Sequence, residues 1–149
     1  MRSFIPIILS LVTVATAGLV TTEKPEEPAV ISLTEDTFYD FMERHPLVLA
    51  NFYAPWCGYS RRLAPKYEAA AKVLKEDEIP LVKVDCTVEE GLCEAFFIRA
   101  YPTLKVFRGP WEDEPYGGTR HPESIISYML EESMDTETGD DFFYQSPTA

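Results

Sequence analysis

The chain has 149 residues, 46% of them hydrophobic and 13% aromatic, which suits one folded domain and excludes a disordered polypeptide. Thirteen Lys and Arg stand against 25 Asp and Glu, giving a formal net charge of −12 with no basic cluster. A nucleic acid partner is therefore not expected.

In chain order, Arg2, the mostly apolar Phe4 to Val14 and the small residues Ala15-Thr16-Ala17 follow the plan of a secretory signal peptide, expected over residues 1–17. That run is too short to cross a bilayer, and no other stretch approaches the roughly 20 apolar residues of a transmembrane helix. A soluble product of an oxidising compartment is expected, with no membrane span. Residues 18–29 read as a polar lead-in, 30–131 as the folded domain and 132–149 as an acidic, disordered tail. The aromatic patch Phe142-Phe143-Tyr144 within that tail is a candidate partner-binding segment.

Val30 to Leu33 is a short strand candidate. Thr34 can cap a helix whose first turn carries Glu35 and Asp36 and whose apolar face holds Phe38, Phe41 and Met42. That helix should stop near His45-Pro46. Leu47 to Tyr53 is apolar apart from Asn51, the pattern of a central strand covered on both faces. After Pro55-Trp56-Cys57-Gly58, the residues Leu63, Tyr67, Ala70, Ala71 and Leu74 recur at helical spacing to about Lys75, with a kink expected at Pro65. Leu81 to Asp85 and Thr103 to Arg108 read as core strands around a short helix at Glu89 to Phe97. Gly109 to Gly118 is turn-like with a weak edge strand near Glu114 to Tyr116, and Pro122 opens a last helix burying Ile125, Ile126, Met129 and Leu130. Strands alternating with helices predict an α/β domain with helices on both faces of a small sheet.

Three cysteines, Cys57, Cys86 and Cys93, leave one thiol unpaired or joined to another molecule. Cys57 follows a buried strand and opens a helix, where unpaired N–H groups and the positive helix end lower a thiol's pKa. Such a thiolate attacks disulfides and forms a mixed disulfide with its substrate. Three residues on, where a second thiol would resolve that adduct, stands Ser60.

Phe52-Tyr53-Ala54-Pro55-Trp56-Cys57-Gly58, then Leu63-Ala64-Pro65, Lys83-Val84-Asp85-Cys86-Thr87 and Tyr101-Pro102-Thr103-Leu104-Lys105-Val106-Phe107 resemble a catalytic domain of the protein disulfide isomerase family. The resemblance runs from about Val30 to Leu130. It implies a thioredoxin fold, a central mixed β-sheet flanked by helices on both faces, and thiol–disulfide exchange on client proteins without cofactor or metal. Its site would comprise Trp56, Cys57, Gly58 and Tyr59, with Tyr101 and a cis Pro102 framing an extended client segment. It further implies a structural disulfide between Cys86 and Cys93, the alternative being two buried thiols. Zinc is not expected, since His45 and His121 offer no ligand spacing. Arg120 resembles the family arginine that modulates the thiolate, its alternative being a surface ion pair.

Three departures from the family pattern shape the expected activity. Ser60 replaces the resolving cysteine, so the motif reads W-C-G-Y-S and a dithiol cycle is lost. Tyr59 stands for the usual histidine, which predicts a less acidic and less oxidising thiol. Asn51 stands for the buried glutamate that serves the resolving cysteine, leaving Lys83 without its carboxylate, either near the thiolate or reaching to water. The expected activity is isomerisation by shuffling rather than net oxidation or reduction. The alternatives are a non-catalytic chaperone or retention module, or a trapping form made by a Cys-to-Ser change. The resemblance places the protein in the endoplasmic reticulum lumen, with secretion as the alternative. Because the chain ends Pro147-Thr148-Ala149 rather than in a Lys-Asp-Glu-Leu type signal, retention is expected to need a redox or retention partner.

Overall fold

The computed structural model describes residues 27–139; the expected signal peptide and residues 140–149 of the expected tail lie outside them. The elements in order are β1 (Ile31–Ser32), α1 (Glu35–Arg44), β2 (Val48–Tyr53), α2 (Gly58–Leu74), a 3₁₀ turn (Lys75–Asp77), β3 (Leu81–Asp85), α3 (Glu90–Ala95), β4 (Thr103–Phe107), β5 (Asp113–Pro115) and α4 (Pro122–Gly139). They form one five-stranded sheet in the order β1-β3-β2-β4-β5. β1 and β2 run parallel to β3, while β4 is antiparallel to both β2 and β5. β2 is central, as its apolar run, broken only by Asn51, predicts.

Alternation along β2 divides the interior in two. Val48, Ala50 and Phe52 point to a core shared with Phe38 and Met42 of α1, Leu92 of α3 and Phe107 of β4. There Phe38 meets Phe107 edge-on with ring centroids 5.4 Å apart and packs against Phe96 at 5.1 Å. Leu49 points to the other core, closed by Leu63, Tyr67, Ala70 and Leu74 of α2 and by Ile125 and Met129 of α4. Asn51 sits on the α2 face too, by the same alternation. Tyr67 ties α2 to the sheet, its buried hydroxyl donating to Leu49 O at 2.7 Å and Val82 O at 3.1 Å.

α1 begins where Thr34 predicts, with the Thr34 N–H donating to Thr37 Oγ1 at 3.0 Å. Phe41, expected in the buried face, is half-buried and stacks on His45 at 4.1 Å. The expected kink at Pro65 does not end α2, which continues without a break to Leu74. Pro65, the eighth residue of the helix, gives up the N–H that would reach Arg61 O. The expected disordered tail from residue 132 is corrected in part, since α4 continues to Gly139. Arg108 holds Glu132, Ser133 Oγ donates to Leu130 O at 2.7 Å, and Glu and Met are good helix formers. Among the described residues no helix is long and apolar enough to cross a membrane.

Candidate active site

β2 ends at Tyr53, and Pro55-Trp56 turn the chain so that Cys57 becomes the N-cap of α2. Its N–H donates to Ala54 O at 3.0 Å and its carbonyl accepts from Arg61 N at 3.1 Å, so the sulfur is fixed at the helix mouth. Cys57 is half-buried and is the free cysteine. Its thiol donates to Tyr101 O at 3.4 Å, and the Tyr101–Pro102 peptide bond is cis.

The thiol is held below its ordinary range, first by the backbone N–H of Ser60. Partial burial opposes this, while the Tyr59 N–H, the Ser60 hydroxyl and the Arg61 charge add to it. The cause is the general one at helix N-termini: donors without an intrahelical acceptor face the sulfur and favour its anion. Tyr59, read from the sequence as a weakened polar partner, acts through its backbone; its ring is 64% exposed and carries the Arg62 guanidinium at 4.5 Å. Trp56 is 68% exposed and meets Tyr101 edge-on at 6.1 Å. Gly58 is half-buried at the first helical position.

Arg120 lies at the site, but not on the thiol. Its Nη2 donates to Pro102 O at 3.0 Å, bracing the loop whose Tyr101 carbonyl accepts the Cys57 hydrogen bond. The cation that bears on the sulfur is Arg61, whose Nη1 also donates to Trp56 O at 3.2 Å. Arg61 escaped the motif reading; its spacing of four from Cys57, one helical turn on, was the available signal. Cys86 and Cys93 form a disulfide with Cα atoms 5.7 Å apart, joining the end of β3 to α3. Closing so short a loop is worth about 2 to 3 kcal/mol by loop-closure entropy.

Ser60 is 4% exposed and Asn51 5% exposed. Neither Ser60 Oγ nor Asn51 Oδ1 has a hydrogen-bond partner. The Ser60 hydroxyl thus lies near the sulfur without a well-aligned bond to the neutral thiol, and gains an acceptor once the sulfur is charged. Both residues line a cavity of about 160 Å³ shared with Tyr67, Glu68 and Lys83. Lys83 is half-buried there, beside Asn51 across the β2–β3 ladder. Glu68 is engaged elsewhere, accepting from Ala29 N and, at 3.2 Å, from Val30 N. Burial, and next the Asp85 charge, push the Tyr53 phenol at this edge above its ordinary value. Among the described residues no group of three or more His, Cys, Asp or Glu is placed to hold a metal.

A free thiol on a helix N-terminus, beside the Tyr101 carbonyl of a cis Tyr101–Pro102 bond and at the carboxyl end of a central strand, is a disulfide-exchange geometry. Comparison with known proteins agrees. The thioredoxin family model matches residues 29–131. The protein disulfide-isomerase of Aspergillus oryzae is 55% identical over 137 residues, 90% of this chain and 26% of that protein. That of Saccharomyces cerevisiae is 40% identical over 112 residues, 74% of this chain and 22% of that protein. The chain thus spans about a quarter of the length of these curated relatives. The first thioredoxin domain of mouse protein disulfide-isomerase A4 is 30% identical with a TM-score of 0.65, covering 92% of this chain and 94% of that one. Human ERp44 in a zinc-bound form is 29% identical with a TM-score of 0.65, covering 68% of this chain and 30% of that one. With its mixed sheet between two helical layers, the chain has the thioredoxin fold and belongs to the thioredoxin family, as a domain of the protein disulfide isomerase kind.

Proposed function

We propose that the chain rearranges disulfides of client proteins in the endoplasmic reticulum lumen through Cys57 alone. One observation carries this reading: a half-exposed thiol with a lowered pKa at the start of α2, with a buried serine where a second thiol would stand. The Cys57 thiolate attacks one sulfur of a client disulfide. A Cys57–client bond forms as the client S–S bond breaks, and the other client sulfur leaves as a thiolate. A second client thiolate then attacks the client sulfur of the adduct, forming a new client disulfide and returning the Cys57 thiolate. No electrons are gained or lost, so the product is a rearranged client. Tyr101 and Pro102 would frame the client segment, with Arg120 bracing their carbonyl side and Trp56 and Tyr59 offering exposed aromatic surface. The signal-like residues 1–17, the Cys86–Cys93 disulfide and the relatives' names support a secretory location.

The test is rearrangement of a scrambled disulfide-bonded protein by the full chain. Cys57→Ser should fall to the uncatalysed rate, and Ser60→Cys should add net dithiol oxidation and reduction. Activity that survives Cys57→Ser defeats the reading. Ser60 favours a second reading, covalent capture, because no internal thiol can break the client adduct. Adducts on Cys57 that persist in the presence of free client thiols, without turnover, select capture over isomerisation.

A further inference from the structure

Asn51 Oδ1 and Ser60 Oγ are both more than nine-tenths buried, both without a hydrogen-bond partner, and both on one cavity of about 160 Å³. A buried acceptor left unpaired costs about 1 to 3 kcal/mol, so two on one wall point to a shared partner. The cavity has ample room for water, which takes up roughly 30 Å³ a molecule. We propose that an ordered water in this cavity donates one hydrogen to Asn51 Oδ1 and the other to Ser60 Oγ, making Asn51 a positioning residue that turns the Ser60 hydroxyl proton toward Cys57 Sγ. This rests on the reading of Cys57 as the nucleophile.

The proposed direction is consistent with the hydrogens available. An asparagine Oδ1 only accepts, whereas a hydroxyl has one proton and two lone pairs. A water that donates to both oxygens fills a lone pair on Ser60 Oγ and leaves the serine's own proton to find an acceptor. That acceptor is the sulfur, once its proton, which points to Tyr101 O in the neutral thiol, has passed to solvent. The Tyr67 hydroxyl does not compete as a donor, being spent on Leu49 O and Val82 O, and the Glu68 carboxylate is held by Ala29 and Val30. Lys83 on the same wall suits the water's oxygen as a donor. Asn51 thereby acts on the thiolate through a chain of three hydrogen bonds and without touching it. The charged and titratable groups facing the thiol and the cavity are Arg61, Glu68 and Tyr67 from α2, Tyr53 from β2, Lys83 from β3 and, through Pro102 O, Arg120 before α4. The variants below leave all of them in place.

The experiment is the pH profile of Cys57 alkylation by a neutral reagent, read for the full chain and for Asn51→Leu, Ser60→Ala and the double variant. Ser60→Ala should move the midpoint up by about half to one pH unit. Asn51→Leu, which removes the acceptor and fills the cavity, should move it in the same direction, and the double variant should go no further than Ser60→Ala. A water cross-peak to Asn51 or Ser60 in the nuclear Overhauser spectrum of the unaltered protein tests hydration, whether or not Asn51→Leu folds. A lowered unaltered midpoint that Asn51→Leu leaves in place, shifts that add in the double variant, or no water cross-peak overturns the inference. An unaltered midpoint at the ordinary thiol value defeats the nucleophile reading instead, whatever the cross-peak shows, and the positioning role falls with it.

Discussion

Cys57 is surrounded by influences of different reach. The Ser60 and Tyr59 N–H groups belong to the helix and survive any side-chain change, whereas Arg61 acts by charge. Arg61→Gln keeps a polar side chain but removes the cation. Because a cation favours the thiolate, its loss should raise the Cys57 midpoint by a few tenths of a pH unit to about one. The alkylation rate at neutral pH should fall accordingly. The shift should shrink as salt is added, since Arg61 is exposed and its charge is screened. A midpoint that stays put or moves down would assign the lowering to the helix donors and the Ser60 hydroxyl without the Arg61 charge. Cys57 was legible in the sequence because it stands at the motif's nucleophile position, and Ser60 and Asn51 because each is a chemical change at a motif position. The Arg61 role was not, because a surface arginine takes its direction from its neighbours, here Trp56 O. Arg120 was legible as part of the site, yet which atom it holds depended on where the Pro102 loop closes.

At the scale of elements, α2 carries both the site and a large part of one core, and Tyr67 joins the two. Tyr67→Phe removes the donor to Leu49 O and Val82 O and should lower unfolding stability by about 1 to 3 kcal/mol at neutral pH. Burial pushes the Tyr67 phenol well above its ordinary value. The unfolded chain would ionise Tyr67 near pH 10 while the folded chain does not, so the stability held by the neutral phenol is complete below about pH 10 and is lost as pH rises beyond it. The gap between the unaltered protein and Tyr67→Phe should therefore narrow in alkaline urea titrations. A gap that widens above pH 10 would contradict a phenol buried neutral. Strand and helix positions were readable from periodicity to within a residue or two. The end of α4 was not, because a run of acids reads as solvated chain, whereas Arg108 holds Glu132 against the sheet edge and extends the helix.

In the whole molecule, the site lies where the sheet changes direction. β2 has parallel β3 on one side and antiparallel β4 on the other, and Cys57 follows directly on its carboxyl end, where open α/β sheets leave a crevice. That strand order is set by long-range pairing, and periodicity alone carries no signal for it; the resemblance supplied a mixed sheet but not the order of its strands. The same geometry gathers Arg61, Arg62 and Arg120 at one end of a chain whose net charge is −12. Two fields then act on an approaching disulfide: a short-range positive one at the thiol and a long-range negative one from the rest. Screening acts first on the longer range, since the Debye length falls from about 30 Å at 0.01 M salt to about 8 Å at 0.15 M. An anionic aromatic disulfide should thus react with Cys57 faster as salt rises across that range, on the order of tenfold, while a neutral analogue changes little. Stopped-flow rates for the two reagents at fixed pH measure the difference. A rate for the anionic reagent that falls with salt would mean that the arginines outweigh the acidic body at the distance where encounter is decided, and that the site draws in anionic client segments.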